Sequence, residues 1–257
     1  LESRRVLFRS QAGVLAPVPV HARYLTFSIN HGVQPRRALQ ALAALADGER
    51  CVVGIGQPVI AACRRHIDGM REFPGFSGRG FVVPSTPAAL WCWLRGTERG
   101  ELLHLSRRIV EALTSAFALE SSVDAFKHGS GRDLTGYEDG TENPKGKKAV
   151  SAAVVSGGGP GIAGSSFVAV QQWLHDFKRF EAMGTRAQDN AIGRLRTDIN
   201  MGEVGELFVR ARLPSVERDA ARRQAILAQS ADGAEIGGAE KGDPVVLFPV
   251  QRRSEEH

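Results

Sequence analysis

Alternation of apolar and polar residues divides the first part of the chain into strands and helices. Apolar residues occupy every second position over 24–29, which predicts a half-buried strand. Leucines at helical spacing predict a helix over 36–46, and a short apolar run predicts a second strand over 51–56. The stretch 58–84 is rich in proline and glycine, which indicates a long irregular connection.

A strand, a helix and a strand are predicted again over residues 89–126. A compact apolar run over 89–94 predicts a strand with Trp91 and Trp93 on one face. The opposite face of that strand carries Leu90, Cys92 and Leu94. An amphipathic pattern from about residue 97 to residue 113 predicts a helix, and alternation returns over 117–126.

The order strand, helix, strand, strand, helix, strand predicts a ferredoxin-like α+β unit, an antiparallel sheet with two helices on one face. After a connection rich in glycine and charge over 127–165, the pattern starts again. The second set of predicted elements is a strand over 166–173, a helical stretch over 176–195, a strand over 206–213, a helix over 217–229 and a last strand over 245–250. The chain is therefore predicted to contain two ferredoxin-like units with antiparallel sheets.

These patterns predict three segments. Residues 1–20, whose first part holds several arginines, are interpreted as a disordered or tag-derived leader. Residues 21–130 form the first ferredoxin-like domain, and residues 131–257 form the second.

Composition narrows the classes of protein. The chain has 257 residues, of which 42% are hydrophobic and 24% charged, and this excludes disorder as the default state. The net charge of +5 is spread along the chain without a dense basic run, so we expect no nucleic-acid partner. No apolar run is long enough for a membrane helix. The three cysteines lack CxxC spacing, which predicts buried thiols and a cytoplasmic protein.

One loop concentrates the residues that could carry chemistry. Gly136 and Gly140 flank the carboxylates Glu138 and Asp139, and Asn143-Pro144 ends the loop. Such a loop can present a carboxylate into a cavity, where neighbouring carboxylates and burial raise its pKa toward that of a proton shuttle. A solvated or calcium-binding acidic loop would carry the same residues, and the spacing alone favours that alternative.

This loop resembles the signature of the dye-decolorizing peroxidases, whose G-x-x-D-G motif is met by Gly136, Asp139 and Gly140. The resemblance is to the bacterial branch of that family and covers about residues 23–198. The other segments that carry the resemblance are 84–87, 90–96, 124–126, 170–176 and 192–194. The family implies two ferredoxin-like halves, with haem b (iron protoporphyrin IX) held mainly by the second.

The resemblance also implies an activity. Members use hydrogen peroxide to oxidise bulky dyes, phenolics and similar organic reductants by one-electron steps at the haem. It implies that Asp139 is the distal acid–base residue, which takes a proton from peroxide and delivers it to the departing oxygen. Gly140 would let the loop approach the porphyrin, and Arg194 would pair with a propionate. The remaining residues implied to contact the haem are Glu138, Thr141 and Glu142. A homo-oligomer is also implied.

The C-terminal stretch departs from the family. Family members have a proximal histidine downstream of the Ile-Gly-Arg segment at 192–194, but no histidine lies between Asp198 and Glu256, so the metal ligand is unknown. A shifted reading frame over 201–257 and a divergent tail both account for this departure. The alternative function is therefore a degenerate or non-catalytic porphyrin-binding protein that lacks the proximal histidine.

Overall fold

The first unit has the predicted order of strands and helices. The computed structural model describes residues 10–70, 72, 74–78, 81–83, 85–138, 143–159, 161–172, 175–193, 195–196 and 245–250. The main elements of the first unit are β1 (His21–Ile29), α1 (Arg36–Ala43), β2 (Cys51–Ile55), α2 (Gln57–Ala62), β3 (Phe76–Gly78), β4 (Phe81–Val83), β5 (Leu90–Gly96), α3 (Arg99–Leu113) and β6 (Phe117–Phe126).

Four of these strands form one antiparallel sheet in the order β2-β5-β1-β6. This order places the first and third long strands at the centre, as a ferredoxin-like unit requires, so the predicted α+β class is confirmed. In the register, Tyr24 lies opposite Trp93 and Leu25 lies opposite Cys92. The pairing of β1 with β6 contains a bulge between Thr26 and Phe27.

Strand β5 is buried on both faces of the sheet, and this divides the core into two layers. On the helix-covered face, its Leu90, Cys92 and Leu94 pack among residues of α1 and α3. On the other face, Trp91 and Trp93 pack in a second cluster. The predicted alternation along β5 is therefore confirmed. The other buried residues of the second cluster are Val14, Ala22, Tyr24, Val52, Ala125 and Ala153.

Part of the stretch 58–84, expected to be irregular, is regular. It contains α2, which places Pro58 in its first turn, and a short antiparallel hairpin formed by β3 and β4. Proline is tolerated in the first turn because the N–H groups there have no intrahelical acceptor. The same proline that indicated an irregular connection is therefore compatible with a helix.

The segment 10–20, predicted to belong to a leader outside the fold, packs against the first unit. The Gln11 side chain donates to the Val53 carbonyl and accepts from the Val53 amide, each at 2.7 Å. A Cβ atom on Gly13 would lie 2.5 Å from a methyl carbon of Val52, so this close approach needs glycine. The Arg95 guanidinium, which lies 4.5 Å from the centre of the Trp93 ring, donates to the Pro17 carbonyl. Residues 1–9 lie outside the described residues.

The second unit contributes α4 (Lys147–Ala153), β7 (Phe167–Gln172), α5 (Phe177–Glu181), α6 (Thr185–Ile192) and β8 (Val245–Val250). The helical stretch predicted over 176–195 is two short helices, because the chain turns between Ala182 and Gly184. Strands β7 and β8 pair in parallel, whereas an antiparallel plan predicts the opposite direction for this pair. The elements predicted over 206–213 and 217–229 lie outside the described residues.

The three cysteines are free thiols. Cys51 and Cys92 are buried as predicted, whereas Cys63, just after α2, is only partly buried. None of the helices in the described residues combines the length and the apolar character that crossing a membrane requires.

Two leucines of α3 give a matched test of the core. Leu113 is fully buried, whereas Leu103 is 44% exposed. We expect Leu113→Ala to lower the free energy of unfolding by about 2–5 kcal/mol, because it leaves a cavity in the helix-covered layer. Leu103→Ala makes the same change of helix propensity and should lower the free energy of unfolding by about 0.5 kcal/mol or less. Denaturant unfolding measures both, and equal losses would contradict the assigned burial.

The turn between α1 and β2 gives a test in acid. Burial by itself raises the pKa of the Asp47 carboxyl, but hydrogen bonds from the backbone of residues 49–51 and from the Arg50 side chain outweigh it and lower the pKa from 3.8 to about 2. A pKa lowered on folding contributes stability that is present above pH 3.8 and is lost as pH falls through about 2.

We therefore expect the stability difference between wild type and Asp47→Asn to shrink as pH falls through this window. Unfolding curves at several pH values measure the difference. The exposed Asp68, changed to Asn, is the control, and an Asp47→Asn difference that stayed constant with pH would contradict the role of this carboxylate.

Candidate active site

Hydrogen bonds hold residues 131–138 of the carboxylate-bearing loop in one conformation. The Asp133 amide donates to the Tyr137 carbonyl at 2.9 Å, and the Gly136 amide donates to the Asp133 carbonyl at 3.1 Å. Gly136 has a φ of 92°, a conformation that favours glycine. These bonds close a tight turn immediately before Asp139.

The buried Asp133 carboxylate is used inside this turn. One of its oxygens accepts from the Thr135 amide at 2.7 Å and also from the Thr135 hydroxyl. A side chain that bonds to the backbone two residues later is typical of a turn-forming aspartate. Asp133 therefore shapes the loop.

The Arg132 side chain forms hydrogen bonds with Gly136 and Glu138 at the far end of the turn. Its guanidinium donates to the Gly136 carbonyl at 2.8 Å and to Glu138 Oε1 at 3.0 Å. The same guanidinium lies 3.4 Å from the Arg196 carbonyl oxygen, beyond the end of α6. Of the six residues predicted to act at the site, Glu138 is the one that the structure describes, and its carboxylate forms an ion pair within the chain.

Tyr137 anchors the loop from inside. Its side chain is 1% exposed, and its hydroxyl donates to Asp189 Oδ1 at 2.6 Å. Its ring meets Phe180 edge to face, with 6.2 Å between the ring centres, and the Arg196 guanidinium lies 5.0 Å from its centre. Burial, together with the hydrogen bond to Asp189 and the charge of that carboxylate, raises the pKa of Tyr137 to about 12.

Helix α6 supplies the partners of Tyr137. Asp189 lies on this helix and also accepts from the Arg196 amide at 3.3 Å. The neighbouring Gln188 donates to the Phe180 carbonyl at 2.9 Å and accepts from the Arg196 side chain at 2.8 Å. Loop, α5 and α6 are therefore joined by one continuous set of hydrogen bonds.

A cavity of about 210 Å³ opens beside this network. Aromatic, aliphatic, polar and charged residues all line it. Its lining residues are Leu134, Thr135, Phe177, Phe180, Glu181, Gln188 and Arg196.

Several predicted site residues lie outside the described residues: Asp139, Gly140, Thr141, Glu142 and Arg194. The sequence interpretation missed Arg132, Tyr137, Asp189 and Arg196 as parts of one cluster. Tyr137 lies within the motif and could have been singled out, but Asp189 is 52 residues away and carries no local signal.

Comparison with known proteins places this loop and scaffold in a family. Residues 130–243 match the family described as Dyp-type peroxidase, C-terminal. A dye-decolorizing peroxidase of Mycolicibacterium paratuberculosis is 31% identical over 72% of this chain and 56% of its own length. A dye-decolorizing peroxidase of Rhodococcus erythropolis is 29% identical over 89% of this chain and 72% of its own length. These matches support the dye-decolorizing peroxidases as the family of this chain.

Solved structures agree with this assignment. A variant of Rhodococcus jostii DypB in complex with heme is 26% identical, covers 74% of this chain and 66% of that chain, and has a TM-score of 0.62. The encapsulated DyP-type peroxidase of Mycobacterium smegmatis is 25% identical, covers 85% of this chain and 71% of that chain, and has a TM-score of 0.64. The alignment with the M. paratuberculosis relative thus spans little more than half of that relative.

The described part of this chain does not itself form a pocket that fits haem. The 210 Å³ cavity is too small for a porphyrin. A larger, open cavity of about 520 Å³ lies between α3 and β6 of the first unit, and the described residues that line it include no histidine. No group of three or more potential metal-ligating side chains occurs among the residues that the structure describes.

The two tyrosines of the chain give a matched test of the anchor. Tyr137→Phe removes the hydroxyl that donates to Asp189, and we expect it to lower the free energy of unfolding by about 1.5–3 kcal/mol, because the bond has a carboxylate acceptor. Tyr24→Phe, at a similarly buried ring without a hydrogen-bond acceptor in the described part of the chain, should cost much less. Denaturant unfolding compares the two, and an equal cost would contradict the anchoring role of Tyr137.

Proposed function

We propose that this chain is a haem-dependent peroxidase that uses hydrogen peroxide to oxidise bulky dyes or phenolic donors by one-electron steps. The observation that supports it best is the set of hydrogen bonds over residues 131–138, just before Asp139 in the sequence. The buried Tyr137, the buried Asp133 and Arg132 form these bonds. A catalytic carboxylate needs such support, because a small error in its position costs a large part of the rate.

Asp139 is the acid–base residue in this proposal. It accepts a proton from hydrogen peroxide and returns it to the oxygen that leaves as water. Haem b, when bound, would supply an iron centre that peroxide oxidises by two electrons. Gly140 would give the loop room beside the porphyrin, and Glu138, Thr141 and Glu142 would line its edge. Arg194 would pair with a propionate.

The setting of the enzyme is also part of the proposal. Strand β6 pairs with β1 along one edge, and within the described residues its other edge is unpaired, which supports a homo-oligomer. Three free thiols support the cytoplasm as its compartment.

One specific observation favours a second candidate function. The absence of histidine between Asp198 and Glu256 favours a degenerate porphyrin-binding member without a proximal ligand. Both candidates bind the porphyrin, and they differ in whether the chain itself supplies the axial imidazole.

A hemin titration of the purified chain, followed by absorption spectra with and without imidazole, separates the two candidates. A saturable complex with a histidine-ligated spectrum before imidazole is added is the result expected of the peroxidase. A complex that acquires this spectrum only after imidazole is added would support the degenerate member. Failure to saturate would contradict both.

The role of Asp139 has its own test in the haem-loaded chain. We expect Asp139→Asn to slow peroxide-driven dye oxidation by a factor on the order of 10²–10⁴, because general acid–base catalysis contributes about that much. Haem content, measured by absorbance, should be unchanged. Asp68→Asn, which alters an exposed carboxylate of the first unit, is the matched control. Turnover that is unaffected in Asp139→Asn would remove this residue from its role.

A further inference from the structure

The contact between Tyr137 and Asp189 combines the two components of a proton-coupled redox site, which are a phenol that can be oxidised and a base that can take its proton. A phenol that loses one electron becomes strongly acidic, so its oxidation is much easier when a base already holds the hydroxyl hydrogen bond. The Tyr137 hydroxyl donates to a carboxylate oxygen at 2.6 Å, the length typical of a charge-assisted O–H···O bond. The residue is 1% exposed, and the Asp189 carboxylate is the acceptor that the structure shows for its hydroxyl.

The other tyrosine of the chain, Tyr24, has no such base beside its hydroxyl in the described residues. Tyr24 is equally enclosed and stacks on Trp91 and Trp93, with ring centres 5.7 and 6.2 Å apart. Within the described residues its hydroxyl has no hydrogen-bond acceptor, and its charged neighbour is the Arg95 guanidinium, which cannot take a proton. The two buried tyrosines therefore differ in the group beside the hydroxyl, which is a carboxylate at Tyr137 and, within the described residues, no base at Tyr24.

The 210 Å³ cavity gives an electron donor access to Tyr137. Phe180 and Arg196 line the cavity on one side and contact the Tyr137 ring on the other. A molecule in the cavity is therefore separated from that ring by one layer of side chains. The rings of Phe177 and Phe180 suit an aromatic ring, and Arg196 and Glu181 suit a hydroxyl group that both accepts and donates.

We propose that Tyr137 and Asp189 form a proton-coupled redox site that takes an electron from a phenolic donor held in the cavity between Phe177, Phe180 and Arg196. The proposal rests on the proposed function for the oxidant in the cell, the peroxide-oxidised haem, and deepens it by naming where the donor binds and which residue it reduces.

The electrons and protons of this cycle balance. A one-electron oxidant removes an electron from Tyr137, the O–H bond breaks, and the proton moves to Asp189, which leaves a neutral tyrosyl radical and a neutral carboxyl. The phenolic donor then gives one electron to the radical, the Asp189 proton returns to the Tyr137 oxygen, and the donor releases its own proton to solvent. The products are a phenoxyl radical and the starting Tyr137–Asp189 pair.

The charge of Arg196 determines how the radical behaves. Before oxidation its guanidinium lies 5.0 Å from the centre of a neutral phenol ring whose hydroxyl bonds to the Asp189 carboxylate, whereas afterwards the tyrosyl and the carboxyl are both neutral and that negative charge near the guanidinium is lost. This raises the potential of the tyrosyl radical. The site is therefore suited to passing an oxidising equivalent to a donor and unsuited to storing it.

The test uses the full chain without haem, so that its failure and the failure of the peroxidase proposal can be told apart. A light pulse in the presence of tris(bipyridine)ruthenium(II) and an irreversible electron acceptor generates the ruthenium(III) oxidant. Electron paramagnetic resonance and transient absorption then detect the radical. We expect a neutral tyrosyl radical in wild type and in Tyr24→Phe, and its loss in Tyr137→Phe. A tyrosyl signal that persists in Tyr137→Phe, or that is absent from wild type, would overturn the proposal.

Asp189→Asn tests the base, because an asparagine oxygen still accepts the hydrogen bond but does not take the proton. We expect the tyrosyl yield to fall and to become dependent on buffer concentration, since the proton must then go to solvent. A yield equal to that of wild type would exclude Asp189 as the base. Thermal unfolding of each variant, measured in the same buffer, separates a redox effect from loss of the fold.

The donor site is tested by the decay of the radical when phenol is added. Phenol should shorten the lifetime of the radical in wild type with saturation, as expected for a bound donor. Leu134→Trp places a larger side chain on the cavity wall, and should leave radical formation intact while it weakens the effect of phenol. Leu103→Trp, on the exposed face of α3, should behave as wild type. Equal effects of phenol in both tryptophan variants would show that the donor does not use this cavity.

Discussion

The burial of β5 on both faces is the constraint on which the rest of the first unit depends. A strand with leucines and a cysteine on one side and tryptophans on the other needs two apolar layers to cover it. One layer comes from α1 and α3. The other is built around Tyr24 and the two tryptophans, and includes Val14 from the N-terminal segment and Ala153 from α4. The need to cover this face therefore draws the N-terminal segment and the start of the second unit onto the sheet.

The loop over 131–138 in the second unit depends mainly on polar contacts. The loop over 131–138 contains three acidic or basic side chains within seven residues, and most of its order comes from hydrogen bonds to them. Such a loop would be costly to order in isolation, because each bond adds little net stability in water. Burial of the Tyr137 ring against Phe180 offsets that cost, and it also places the hydroxyl beside Asp189.

The charged groups of this loop have separate uses. Asp133 shapes the turn and Glu138 pairs with Arg132, so two of the carboxylates in the motif region are engaged by the chain itself. A cluster that looks uniform in the sequence is therefore divided by its partners into residues that build the loop and residues available for chemistry. This division supports the choice of Asp139 as the acid–base residue of the proposed peroxidase. It also explains why an acidic composition alone did not predict a function.

Local patterns in the sequence determined most of the first unit, including the two faces of β5 and the order of strands and helices, because periodicity depends on neighbours a few residues apart. The motif around Gly136 and Asp139, together with other segments between residues 84 and 194, likewise indicated the resemblance to the family. The helix at Pro58, the parallel pairing of β7 with β8 and the packing of residues 10–20 were decided by tertiary structure. The partnership of Tyr137 with Asp189 was decided there too, since it joins residues 52 positions apart and no local pattern records such a contact.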